Sequence, residues 1–300
     1  MEPGGPAPDL FASRSMDNGI VATAYYRHSS ALMARIAAVL GRDDEARELR
    51  DLSEKVRDAW QQEYLQPDGR VSDRKGDGGT QANCVRALAF DLVPDTARSA
   101  VADQLAGLVR AADTHLGTGF LATPYLLPVL TDNGHPGLAY ELLMQDSEPS
   151  WLVMVDRGAT TMWEHWNGIG ADGSATGSLN HYSKGAVVSF LHRYTAGLRQ
   201  APGSAGWERI IIEPRPGAGL TSASTSHRGP QGVIEVEWII DDGVLTLTST
   251  VPSGTTAEVR LPGQPAAVVG PGTHTFAAAM PAVDSASGID AHPDLARSAR

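Results

Sequence analysis

The chain has 300 residues, 42% of them hydrophobic and 20% charged, with a formal net charge of −11, which suits one large globular domain or two ordinary ones. That acidity argues against nucleic acid or an anionic membrane as partner, and no apolar run reaches the length of a bilayer-spanning helix. A lone cysteine, Cys84, excludes an internal disulfide.

The opening "MEPGGPAPDLFASRS" has no apolar h-region. Residues 1–16 read as a flexible segment, and a cytoplasmic location is the expectation. From "NGIVATAYYRHSSALMARIAAVLG" a helical period begins, with Tyr25, Leu32, Ile36 and Val39 on one face. Gly41 ends it. The next helix, "DDEARELRDLSEKVRDAWQQEYL", opens on acidic residues and carries a stripe of Leu49, Leu52, Val56, Trp60 and Tyr64. Thr80 is placed to cap "QANCVRALAFDLV", where Cys84 reads as a small core residue rather than a reactive thiol. Pro94 starts "DTARSAVADQLAGLVRAA"; "TPYLLPVLTDNG" and "PGLAYELLMQ" form a further pair, and "NHYSKGAVVSFLHRYTAGL" closes the series. Two connections, near 113–119 and 146–180, are longer than packing requires, and long loops in a compact helical domain are usually functional.

After Gly203 the period changes to two. In "VIEVEWII", Ile234, Val236 and Trp238 face one way and Glu235 and Glu237 the other. "DDG" at 241–243 signals a tight hairpin. The segment predicts an antiparallel β-sandwich of about seven strands. From residue 278 the small, polar "AMPAVDSASGIDAHPDLARSAR" reads as a disordered tail. Nothing resembles a phosphate-binding glycine loop or a zinc-ligand spacing, so no metal and no cofactor are expected.

The stretch "TTMWEHWNGIGADGSATGSLNHYSKG", residues 160–185, sets Glu164 between Trp163 and Trp166. A carboxylate desolvated by indoles has a raised pKa, and indole faces stack on the C–H faces of sugars. The same residues suit a structural glutamate bonded to backbone amides above packed tryptophans, and His181 suits a packing role as well as a ligand contact. His115 is equally open to a packing role. Trp151 reads as a loop anchor and Asp172–Gly173 as a turn.

The string "HLGTGFLATPYLLPVLTDNGHPGLAYELLMQDSEPSW", followed by "GATTMWEHW" and "SLNHYSKGAVVSFLHRYTAGL", resembles the bacterial α-L-rhamnosidases of glycoside hydrolase family 78. The resemblance runs on through "WERIIIEPRPGAGLTSASTSHRGPQGVIEVEW" and covers most of 17–276. It implies an α+β multidomain chain: a six-hairpin α/α-barrel over 17–201, then a β-sandwich over 202–277, with hydrolysis of terminal α-L-rhamnose by inversion. It implies that Glu164 is the general base, that His181 contacts rhamnose, and that Trp163 and Trp166 flank the base. The substrate implied is a rhamnose-containing glycoside or oligosaccharide.

The family's general acid sits in an Asp-x-x-x-Arg-x-Glu block that has no counterpart in this sequence. Asp73 and Asp77, in "SDRKGDGG", match a variable part of the family and are not promoted to that role. With fewer helices than a closed six-hairpin barrel needs, the chain is expected to be the C-terminal part of such a barrel. Alone it is expected to be inactive and to self-associate through apolar faces that a missing N-terminal half would cover. Another inverting (α/α)6 glycosidase and a non-catalytic carbohydrate-binding fragment are the competing readings.

Overall fold

The computed structural model describes residues 18–72, 79–170 and 172–280. The calls on 1–16, on Asp73 and Asp77, and on the tail from 281 onward lie outside them. The chain divides into two units, 1–108 and 109–300.

In the first unit, α1 (Asn18–Val39) and α2 (Asp43–Tyr64) form a hairpin turned at Gly41, whose φ of +69° suits glycine. Trp60 is buried and its Nε1 donates to the Ile20 carbonyl at 3.1 Å. The α2 stripe packs as its period predicts, with Val56, Trp60 and Tyr64 buried. The face expected for α1 is wrong. Leu32, Ile36 and Val39 are exposed, and the buried residues are Ile20, Ala24, Ser30, Ala34 and Ala37. Small side chains let α1 approach its neighbour closely. The helix carries apolar residues on more than one face, so periodicity alone does not identify the packed one. Helix α3 (Gln81–Ala89) is capped by Thr80, whose Oγ1 accepts from Asn83 N at 3.2 Å. Cys84 is fully buried, and burial pushes its thiol up to about 12, which keeps it protonated and inert. Helix α4 (Asp95–Ala111) follows Pro94 and runs across the division.

The second unit continues with α5 (Thr123–Asp132), α6 (Pro136–Leu143) and a short α7 (Trp151–Asp156) that falls inside the second expected loop. The closing helix is irregular: a 3-10 turn at Ser183–Ala186, α8 (Val187–Phe190), then a π turn at Leu191–Thr195, where Ala196 N reaches the Leu191 carbonyl at 2.8 Å. Among the described residues eight strands follow: β1 (Leu198–Gln200), β2 (Arg209–Ile212), β3 (Ser222–Gly229), β4 (Gly232–Asp241), β5 (Val244–Val251), β6 (Thr256–Val259), β7 (Ala267–Val269) and β8 (Gly272–Ala279). They make two four-stranded sheets, β1-β2-β6-β7 and β3-β4-β5-β8. All pairs are antiparallel except β2 with β6, which are parallel, so the sandwich is not uniformly antiparallel. The β4–β5 hairpin turns on Asp242 and Gly243, both at positive φ, as a type I′ turn requires. Strand β8 runs to Ala279, and Met280 N donates to the Gly243 carbonyl at 2.8 Å, so the ordered sandwich extends past the expected boundary at 277.

Between the sheets lies a core that includes Ile210, Ile212, Ile234, Val236, Trp238, Leu245 and Leu247. Trp238 Nε1 of β4 donates to the Thr195 carbonyl at the end of the π turn at 2.8 Å in a buried hydrogen bond, and Tyr140 OH of α6 donates to the carbonyl of Arg215, just past β2, at 2.6 Å. Glu235 and Glu237 point to solvent along β4. Replacing both by Gln is expected to leave stability within about 0.5 kcal/mol, the usual range for exposed sites. Urea unfolding checks this, and a larger loss would give those carboxylates a structural role.

Candidate active site

The segment from Thr161 to Tyr182 folds back on itself as an irregular two-stranded ribbon rather than an open loop. Its rungs are backbone hydrogen bonds. His181 N donates to the Met162 carbonyl at 2.7 Å and Glu164 N to the Ser178 carbonyl at 2.8 Å. Thr176 N reaches the Gly168 carbonyl and Gly170 N the Ser174 carbonyl, each at 2.8 Å. At the tip, Asp172 Oδ1 accepts from Ser174 N at 3.0 Å and from Ser174 Oγ at 2.6 Å, which is the turn expected there. Arg157 ties the ribbon to α7: its Nη1 donates to the Ile169 carbonyl at 2.8 Å and its Nη2 to Glu148 Oε2 at 3.2 Å.

Glu164 sits on the fourth residue of the ribbon's first arm, and its carboxylate is held across the arms. Ser178 N donates to Glu164 Oε2 at 3.0 Å. That backbone hydrogen bond is the main reason the carboxyl is held below the usual glutamate range, with help from the nearby His165, His181 and Lys184. The expectation of a raised pKa is therefore wrong. The side chain remains partly open to solvent, and an amide dipole outweighs the loss of hydration. Gly177, at φ +67°, makes the clasp possible: a Cβ there would stand 2.3 Å from His165 Cδ2 and 3.3 Å from Glu164 Oε2.

The two tryptophans part company. Trp163 is 1% exposed, and Gly168 lies so close that a Cβ on it would come within 2.9 Å of Trp163 Cβ. A ring with no free face cannot stack on a sugar, so Trp163 belongs to the core and not to the sugar-facing wall. Trp166 is partly exposed and meets Trp151 edge-on, at 5.4 Å and 88° between rings. Trp151 is buried and anchored as expected, its Nε1 donating to the Lys184 carbonyl at 3.0 Å.

His181 lies two residues before the 3-10 turn, not within a helix. Its ring stacks on Phe120 at 4.7 Å and on Tyr182 at 5.3 Å. Ser183 N donates to His181 Nδ1 at 3.4 Å, so in the neutral ring Nε2 carries the proton. His115, four residues beyond the end of α4, bonds Ser147 Oγ at 2.9 Å through Nε2.

Lys184 was not singled out by sequence, where one lysine in "SKGAVV" carries no signal. It is 4% exposed, its ammonium donates to the Glu164 carbonyl and lies 4.2 Å from the centre of the Trp166 ring. Burial pushes it down to about 8, against an ordinary 10.5. From about 8 to 10.5 the native site is losing the proton that the unfolded chain still binds, so stability rises with pH across that window. Comparing wild type with Lys184→Met by urea unfolding at pH 7 and pH 10 should show wild type gaining on the variant. An unchanged difference would mean that this lysine titrates normally. Among the described residues no group of three or more His, Cys, Asp and Glu side chains gathers as a metal site, and no helix is long and apolar enough to cross a membrane.

Helical hairpins that carry a solvent-reachable carboxylate on a ribbon and lead into a β-sandwich have the architecture of a six-hairpin glycosidase domain followed by a sheet domain. Residues 8–195 match the family described as the bacterial alpha-L-rhamnosidase 6 hairpin glycosidase domain, and residues 197–276 its C-terminal domain. The chain belongs to the bacterial α-L-rhamnosidase family. An α-L-rhamnosidase of Streptomyces avermitilis is 45% identical over 257 residues, spanning 84% of this chain and 24% of that protein. One from Formosa agariphila is 37% identical over 249 residues, or 82% of this chain and 26% of that one. Among solved structures, the S. avermitilis enzyme complexed with L-rhamnose superposes with a TM-score of 0.79 at 42% identity, covering 86% of this chain and 26% of that one. The native Aspergillus terreus enzyme gives 0.80 at 33% identity, covering 86% and 30%. The chain thus spans about a quarter of the length of the curated relatives it matches.

Proposed function

We propose that this chain supplies the general-base side of an inverting α-L-rhamnosidase site, acting on terminal α-L-rhamnose of a glycoside or oligosaccharide. The observation that carries the reading is the Glu164 carboxylate: ionised well below neutral pH, reachable by water, and fixed in direction by the Ser178 amide. In this role Glu164 takes a proton from water as the water oxygen bonds to the anomeric carbon. The bond to the glycosidic oxygen breaks on the opposite face, and that oxygen takes a proton from an acid. An inverting pair stands roughly 6.5–9.5 Å apart to admit the water. His181 Nε2–H is suited to a sugar hydroxyl, and the open part of Trp166 to a sugar C–H face. The relatives' names, and the rhamnose complex of the S. avermitilis enzyme, support rhamnose as the sugar.

The acid is assigned to a segment other than these residues, because the sequence has no counterpart of the family's acid block. The 300-residue chain alone is therefore expected to bind L-rhamnose and not to cleave aryl α-L-rhamnosides. Calorimetric titration with L-rhamnose, run beside a release assay, checks both. Turnover at an ordinary rate would reveal an acid within the chain. Absence of rhamnose binding would remove the sugar from the proposal.

A further inference from the structure

Lys184 has no part in the reaction just described, yet it is a buried cation whose ammonium reaches the backbone of the proposed base. Its ammonium donates to the backbone carbonyl of Glu164, one residue's backbone away from the carboxylate. The same nitrogen lies 4.2 Å above the Trp166 ring and 6.0 Å from that of Phe120, the ring on which His181 stacks. Its own carbonyl accepts from Trp151, which meets Trp166 edge-on. One side chain and its backbone therefore bond the backbone of the proposed base, lie against one aromatic proposed to face the sugar, and approach the ring under the other proposed contact.

A lysine this deep is rarely kept for packing alone, since the neutral isostere Met would fill the space without the cost of dehydrating an ammonium. Charge adds two things that Met does not. It attracts the indole face, and it favours the ionised form of Glu164, an influence exerted together with His165 and His181. His165, His181 and Lys184 are the charged or titratable groups that act on Glu164, and Glu164 is the charge that acts on Lys184.

We infer that Lys184 is a positioning residue for the proposed rhamnosidase site, its ammonium pinning the Glu164 backbone and the Trp166 ring to one another and so keeping the carboxylate aimed along the Ser178 amide. The inference rests on the reading of Glu164 as the base, but its geometry can be tested without turnover.

The test uses the 300-residue chain with ¹³C-labelled glutamate carboxyls, Glu164→Gln serving to assign the Glu164 resonance. Carboxyl titrations between pH 3 and 7 are compared for wild type, Lys184→Met and Lys184→Arg, with amide hydrogen exchange at Ser178 followed in each. Lys184→Met is expected to raise the Glu164 pKa by on the order of half a pH unit and to speed Ser178 exchange roughly tenfold. Lys184→Arg keeps the charge and is expected to restore both. If the Met variant fails to fold, Lys184→Gln removes the charge while keeping a donor, and reads the same titration shift. An unshifted Glu164 pKa in the neutral variants, or an equal shift in Lys184→Arg, would overturn the inference, because a packing role alone leaves the carboxylate's titration unmoved. Failure of the base reading shows separately, as a Glu164 resonance that saturating L-rhamnose does not move in wild type.

Discussion

Glu164→Gln, in an active assembly that contains this chain, should lower kcat by about 10²–10⁴-fold, the usual contribution of a general base. Glutamine keeps the shape of the side chain, and its amide oxygen can still accept from Ser178 N, which donates to Glu164 Oε2 at 3.0 Å in the native clasp. What glutamine lacks is the ability to take a proton from water. Rhamnose affinity is therefore expected to stay within a few-fold, roughly one neutral hydrogen bond's worth, while turnover collapses. Azide added to the variant should recover part of the rate by replacing the water as nucleophile, giving a product of β configuration. Retention of more than half the native kcat would remove Glu164 from the base role and leave the ribbon as structure only.

Trp163→Ala should cost about 3–5 kcal/mol of stability, the range for emptying a large aromatic site in a core. The ring is 1% exposed, and the close approach of Gly168 leaves it no room to relax into. The cavity would open at the residue next to Glu164 on the ribbon's first arm, so exchange of the Glu164 and Ser178 amides should accelerate with the loss of global stability. Urea unfolding and amide exchange read the two effects. A cost below about 1 kcal/mol would show that the indole fills no essential volume. Trp166→Ala provides the contrast: its ring is only partly buried, so its larger effect is expected on rhamnose affinity.

The difference between these neighbouring tryptophans was not legible in the sequence. "WEHW" sets both beside one carboxylate, and an irregular ribbon has neither the period of a helix nor that of a sheet from which to read a face. The ribbon itself was hidden for the same reason, since its rungs join residues up to 19 apart and several of them are Gly, Ser or His with no alternating pattern. By contrast, β4 and β5 were plain, because their alternation of buried and exposed residues is the physical pattern of a sheet packed on one side. Thr80 and Pro94 marked helix starts through local chemistry that tertiary packing does not override. The strands β1 and β7 are three residues each, too short for any period to show. Lys184 escaped notice because a buried cation is recognised by its partners, and those partners are distant in sequence until the ribbon closes.

The clasp that fixes Glu164 is separated from the ribbon's tip by the Gly168–Thr176 and Gly170–Ser174 rungs. The tip is thus mechanically insulated from the Glu164 carboxylate. Lengthening a flexible connection adds closure entropy only logarithmically, about 0.6 kcal/mol per doubling. Residues inserted between Asp172 and Gly173 would therefore leave the carboxylate's aim intact while changing the tip itself. Within such a scaffold the clasp and the tip can drift independently, and the tip is a place to graft a reporter group without disturbing the carboxylate's setting.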